Sequence, residues 1–298
     1  MDNKTLSVVV LNYNDSETTL NFVKRVNNFE NINYIVIVDN NSTDDSVEKL
    51  QQYTSSRIYL VKTNKNRGYA YGNNLGIKYA VDKLNSDMVC ISNPDVDFSD
   101  KLVFEAKNIL NSIPNVGTVT GKMICPSTKA NPIAWKLPNW IDCIIECTFL
   151  IRKLLKNKLY YNNKELNRYC NEVEAVPGSL FFINAETMKK IGLFDENTFL
   201  YYEENILAWK LKSQGFKNYI IDIPYIHNHS VTINKNIQSV NKRLRICQLS
   251  REYYCKEYLR CNNLKMMILK LIFEMEIKLF GIFKKMDINV MRPTIRQP

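Results

Sequence analysis

Val89-Cys90-Ile91-Ser92-Asn93-Pro94-Asp95-Val96-Asp97 is a short apolar run that ends abruptly in carboxylates. The run reads as a buried strand, and Pro94 stops its ladder by removing a backbone donor. In open α/β sheets, ligands collect at the carboxyl ends of strands. Asn93 and Asp95, two residues apart at such a tip, offer oxygen ligands for a divalent cation set against a diphosphate. The alternative is an Asx-type turn leading into a helix that starts near Ser99.

The flanking sequence repeats the pattern. Leu6 to Leu11 and Tyr34 to Val38 are β-branched apolar runs that end in Asn12-Tyr13-Asn14 and Asp39-Asn40-Asn41-Ser42. Ile58 to Val61 is a third strand and Met88 to Ser92 a fourth. Helical patterns over 16–29, from near Asp44 and Asp45, and over about 70–84 separate them. Alternation of this kind predicts βαβ units with right-handed crossovers and a mostly parallel sheet covered on both faces. A helix is predicted over 99–112 and a strand over 116–120. An irregular stretch over 123–172 holds an amphipathic piece near 141–157. A strand over 174–184, a helix over 203–213 and a strand near 219–221 follow.

The 298 residues can bury a full core. Nine of the ten net positive charges fall in residues 235–298, where 14 Lys and Arg face 5 Asp and Glu. Eight cysteines form no Cys-x-x-Cys pair, which argues for free thiols in a reducing compartment. No secretory signal is visible and no apolar run reaches the ~18 residues of a membrane span. The expected location is cytoplasmic.

Polar groups now line one rim: Asn12 and Asn14, Asp39 and Asn41, the glycine-punctuated loop 64–74 containing Gly68 and Asn73, then Asn93 and Asp95. That loop opens a helix and suits phosphate or ribose, yet it is neither a P-loop nor G-x-G-x-x-G. Glu203 and Glu204 stand between an aromatic run and a helix. There a carboxylate can take a proton from a hydroxyl, or simply favour the helix dipole. His227 and His229 are the chain's two histidines and suit a divalent metal.

In this order the segments Val10–Asn14, Val38–Asp44, Asn66–Asn74, Asn93–Val96, Gly192–Glu196 and Tyr202–Glu204 resemble the inverting family 2 glycosyltransferases of GT-A fold, in particular rhamnosyltransferase-like bacterial members. The resemblance implies a Rossmann-like catalytic domain over 1–232, with a nucleotide-sugar half to about 122 and an acceptor half over 123–232. A basic helical extension would occupy 233–298. It further implies that Asp39 contacts the donor's base and that Asn12 and Asn14 frame the nucleotide. Asp95 would hold Mg2+ or Mn2+ with His227, His229 being the second choice, and Asn93 would stand at the first position of the D-x-D pattern. Glu204 would be the base, with Glu203 able to exchange roles. The implied donor is a nucleoside-diphosphate sugar, dTDP-L-rhamnose first and UDP-hexoses next. The implied acceptor is a glycan on a polyprenyl diphosphate at the inner face of the cell membrane. A non-catalytic sugar-nucleotide-binding subunit is the rival, motivated by Ile206 where many relatives carry an acid and by Asn in place of Asp at 93.

Residues 264–283 place apolar side chains at helical spacing with lysines interspersed. Such a helix suits an anionic membrane surface, the catalytic body or a second copy of the chain. No nucleic-acid module accompanies the charge.

Overall fold

The computed structural model describes residues 4–126, 133–162, 164–228 and 239–285. The first half follows the predicted alternation. β1 (Leu6–Asn12), α1 (Ser16–Val26), β2 (Tyr34–Asp39), α2 (Ser46–Gln51), β3 (Ile58–Lys62), α3 (Tyr69–Asp82) and β4 (Met88–Ser92) succeed one another, and the four strands pair in parallel in the order β3-β2-β1-β4. Their apolar runs are continuous because both faces are covered: Val8 and Val10 enter one core, Val9 the other. Every β1, β2 and β4 carboxyl end therefore points to the same rim.

Beyond β4 the sheet is mixed rather than parallel. After β5 (Val96–Asp97), α4 (Asp100–Ser112) and β6 (Val116–Ile124), residues 140–159 form the short helices α5 (Trp140–Cys147), α6 (Phe149–Leu154) and α7 (Lys156–Leu159). Of the predicted strand 174–184 only β8 (Leu180–Asn184), after Pro177-Gly178, is strand, and β7 (Cys170–Val173) lies before its predicted start. β8 runs antiparallel to both β4 and β6. No single helix carries the chain from β6 to β8 as in a βαβ unit; the long excursion returns it from the opposite end. After α8 (Ala185–Lys190) and α9 (Glu203–Ser213), β9 (Lys217–His227) is far longer than the predicted core at 219–221. It passes through Pro224 at a register shift against β6, where a proline costs the ladder nothing. β9 also pairs antiparallel with β5 and β7.

The C-terminal helices α10 (Val240–Tyr253) and α11 (Asn263–Lys285) are joined through one π turn, Tyr254–Tyr258. Leu244, Cys247, Tyr254, Cys255, Leu269 and Phe273 bury against Cys143, Tyr201, Tyr202 and Ile206 in a third apolar cluster. One face of this unit thus packs beneath the start of α9.

Candidate active site

The β1 and β2 tips are cross-linked before any ligand arrives. Asn12 Nδ2 donates to Asp39 Oδ2 at 2.9 Å, and Ser42 adds its N–H at 2.9 Å and its hydroxyl at 2.6 Å. These three bonds leave about one of the carboxylate's four acceptor sites for an outside donor. Thr19 Oγ1 holds Asn12 Oδ1 at 2.8 Å. Asn14 and Asn41 both adopt left-handed backbone, at φ 51° and 62°, which asparagine tolerates better than most residues. Thr43 N–H donates to Asn14 Oδ1 at 2.8 Å and ties the two loops together.

Gly68 and Asn73 serve packing in this arrangement. Gly68 has φ 102°, and a Cβ there would run into the Phe199 carbonyl, which accepts from Tyr69 N–H at 3.0 Å. Gly68→Ala is expected to lose about 2–4 kcal/mol of stability, through both the forbidden φ and the clash. Thermal melting checks it; a melting temperature within 2 °C of the parent (about 0.5 kcal/mol) would rule the account out. Asn73 Nδ2 turns back to Tyr69 O at 3.0 Å inside α3. Two asparagines that sequence reasoning passed over do more. Asn40 Nδ2 bonds Asn66 Oδ1 at 3.1 Å and Gly68 O at 3.2 Å. Asn74 bonds Phe194 through both its amide groups, at 3.0 Å each, and Glu196 at 2.9 Å. Their only sequence signal is the density of asparagine in two of the motifs.

At the β4 tip, Asn93 N–H donates to Ser179 O at 2.8 Å. The helix cap is Ser99, whose side chain accepts from Leu102 N–H, so Asp95 is free of that duty. Asp95 Oδ1 lies 3.2 Å from His227 Nε2, with the two side chains only 9% and 2% exposed. Pairing of Val96 with His227 in the β5–β9 ladder sets this approach, and Asn228 N–H to Asp95 O at 3.0 Å fixes it further. A carboxylate oxygen and an imidazole nitrogen this close could both reach one divalent cation. The pair fits a divalent cation as two ligands. Among the described residues no third His, Cys, Asp or Glu joins them. His229 lies outside the described residues.

Glu203 and Glu204 begin α9 and are 3% and 5% exposed. Tyr201 and Tyr202, just before them, are both left-handed, at φ 74° and 70°. Two successive aromatic residues in this region cost roughly 1–2 kcal/mol each. The strain turns both carboxylates inward against Tyr69, Gly178, Phe181 and Ala208. Burial holds the Glu203 carboxyl well above the usual carboxylate range, and the Glu204 charge adds to the effect. Neither Glu203 oxygen has a hydrogen bond of normal geometry; the nearby N–H groups of Tyr201 and Glu203 offset the shift only in part. Tyr69, which donates to Gly178 O at 2.8 Å, is itself pushed up by burial and then by the charges of Glu203, Glu204 and Asp95. The β4 tip, through Asn93 N–H to Ser179 O, and the α9 start, through the cavity shared with Tyr69, thus meet at the Gly178–Ser179 backbone.

Residues 7–127 match the family described as glycosyl transferase family 2. Among curated proteins, the low-salt glycan biosynthesis hexosyltransferase Agl10 of Haloferax volcanii is 26% identical over 230 residues, covering 76% of this chain and 68% of that one. The O-antigen chain rhamnosyltransferase WbaN of Salmonella anatum is 25% identical over 207 residues, covering 68% and 59%. Among solved structures, the mannosyltransferase PcManGT of Pyrobaculum calidifontis, in complex with GDP-Man and Mn2+, superposes with a TM-score of 0.56 at 14% identity, covering 94% of this chain and 75% of that one. Residues 7–127 of the 298 thus resemble glycosyl transferase family 2, and the fold is that of the GT-A glycosyltransferases.

Proposed function

We propose that the protein moves one sugar, with inversion, from a nucleoside-diphosphate donor to a hydroxyl of a glycan acceptor. The carrying observation is that Glu203 and Glu204 line one cavity with Tyr69 and Gly178, while the β4 tip, where Asp95 meets His227, is bonded to the adjoining Ser179. In this reading the Asn12–Asp39–Ser42 network and the left-handed Asn14 and Asn41 frame the nucleoside, with the spare Asp39 acceptor taking a base N–H. Asn93 and Asp95 lie at the diphosphate, and Asp95 with His227 holds Mg2+ or Mn2+. A divalent cation there supplies charge stabilisation to the departing diphosphate. Glu204 takes the proton from the acceptor hydroxyl, which attacks the anomeric carbon from the face opposite the diphosphate. Glu203, kept neutral, holds the second carboxyl of the pair without adding a charge.

dTDP-L-rhamnose is the preferred donor, supported by the similarity to a protein named as a rhamnosyltransferase; other nucleotide hexoses follow from the hexosyltransferase and mannosyltransferase likenesses. A lipid-linked acceptor at the inner membrane face fits α11. Leu264, Met267, Leu271, Met275 and Leu279 recur at helical spacing and stay exposed, beside a basic excess that favours anionic headgroups. No described helix is long and apolar enough to cross a membrane. Two assays on one preparation test this reading. Donor hydrolysis or transfer across a nucleotide-sugar panel is expected to favour dTDP-L-rhamnose and to stop with EDTA. Co-sedimentation is expected with phosphatidylglycerol vesicles and not with phosphatidylcholine vesicles. Turnover unaffected by EDTA, or equal binding to both vesicles, would refute the corresponding half.

A further inference from the structure

We infer that Arg251 of α10 is a positioning residue for the Glu203–Glu204 pair, acting through the hydroxyl of Tyr202. This rests on the catalytic reading above and goes beyond it, because α10 lies outside the matched residues 7–127. Arg251 is 6% exposed. Its Nε donates to Tyr202 Oη at 2.9 Å, and its Nη1 donates to Gln248 Oε1 at 2.5 Å and Cys147 Sγ at 3.0 Å. Tyr202 in turn donates its hydroxyl proton to Glu146 Oε2 on α5 at 2.6 Å. A buried guanidinium and a buried carboxylate are thus joined through one phenol oxygen.

The choice of residue at the joint carries the inference. Tyr202 is the residue immediately before Glu203, it sits at φ 70°, and its carbonyl accepts the first helical bond of α9 from Ile206. Left to itself, an aromatic residue leaves the left-handed region, and relaxation there would rotate both carboxylates out of register with the acceptor. Docking of α10 does not need a buried charge, since Leu244, Cys247, Tyr254 and Cys255 already supply an apolar contact. Charged groups in such a place are costly unless their geometry is used, and here the geometry fixes one side chain. The neighbours of Arg251 grip the same segment. Ser250 Oγ donates to Leu200 O at 2.9 Å, and the hydroxyls of Tyr253 and Tyr258 both donate to Asp195. Residues 250–258 therefore clamp residues 195–202, and Arg251 holds the position nearest the carboxylates. Cys247, one turn before it, lies in the field of Glu204 as well as of Glu146.

Two full-length variants test the assignment. Arg251→Lys keeps the charge and loses the planar fork; Tyr202→Phe keeps the ring and loses the bridging hydroxyl. Each is expected to lower kcat about 10- to 100-fold, the cost of a small misplacement of a reacting group. The donor KM and the Kd for dTDP with Mn2+, set at the β1, β2 and β4 tips, should change less than about twofold in the same proteins. A merely structural role predicts otherwise: a lower melting temperature, with kcat per folded molecule unchanged, or kcat and nucleotide affinity falling together. Either result overturns the assignment, and Tyr202→Phe decides if Arg251→Lys does not fold. Glu204→Gln measured alongside separates this from failure of the base reading, because it reports on the base without touching the clamp.

Discussion

Glu204→Gln is expected to lower kcat about a thousandfold while leaving the affinity for nucleotide and metal near that of the parent. General-base catalysis contributes about 10² to 10⁴, and an amide keeps the shape of the carboxylate but takes no proton. Glu203→Gln is the matching control and is expected to keep most of the activity, because burial and the Glu204 charge already hold Glu203 in its neutral form, which an amide imitates. The two variants also differ in stability against pH. A carboxyl whose folded value lies above its unfolded value binds more protons in the folded state, so stability falls as pH rises from about 4.5 toward the folded value. Urea unfolding at pH 4.5 and 7.5 should show Glu203→Gln less sensitive to rising pH than the parent. Equal losses of kcat in the two variants would mean that the base has been assigned to the wrong member of the pair.

The parallel half of the fold was readable because its signal is local. Each of β1, β2 and β4 is a continuous apolar run with polar residues at its end, and the crossovers between them follow one hand. Asp39 and Asp95 stood out for the same reason, as carboxylates where apolar strands stop, whereas only the family resemblance singled out Glu204. The second half needed pairings that no local pattern records. β8 joins β4 and β6 from the opposite direction after an excursion of more than fifty residues, and Pro177-Gly178 marks a break that propensity alone reads as continuous strand. Gly68 illustrates a subtler gap. Its glycine was read as part of a loop for phosphate or ribose, but what approaches it is the Phe199 backbone, 131 positions away in the chain. Arg251 was not legible at all. In sequence it is one of many basic residues in a basic tail, and only the packing of α10 under α9 gives it Tyr202 as a partner. The left-handed backbone of Tyr201 and Tyr202 is equally silent, since neither residue type favours it. The outward stripe of α11, by contrast, is helical periodicity and was visible from spacing alone.

Asp95→Asn is expected to lower kcat/KM at least about a thousandfold and to leave residual activity indifferent to EDTA. The substitution keeps the size of the side chain, so the β5–β9 ladder and the Asn228 contact to the Asp95 carbonyl should survive. What it removes is the charge. A divalent cation held beside a diphosphate provides several kcal/mol of stabilisation to the charge that develops on the leaving group. If Asp95 and His227 are the protein's share of such a site, as proposed, losing the carboxylate would remove most of its attraction for a hard cation. His227→Gln should do less harm, because its neutral nitrogen contributes coordination but no charge; a rise in the Mn2+ concentration for half-maximal rate of about 10- to 100-fold is the expected size. Titrating Mn2+ into the parent and both variants, with turnover as the readout, orders the two ligands. The distinction from Glu204→Gln lies in the metal: that variant should still bind dTDP more tightly with Mn2+ than without, whereas Asp95→Asn should not. Metal-dependent turnover within about tenfold of the parent in Asp95→Asn would move the diphosphate away from the β4 tip, and with it the whole placement of the donor.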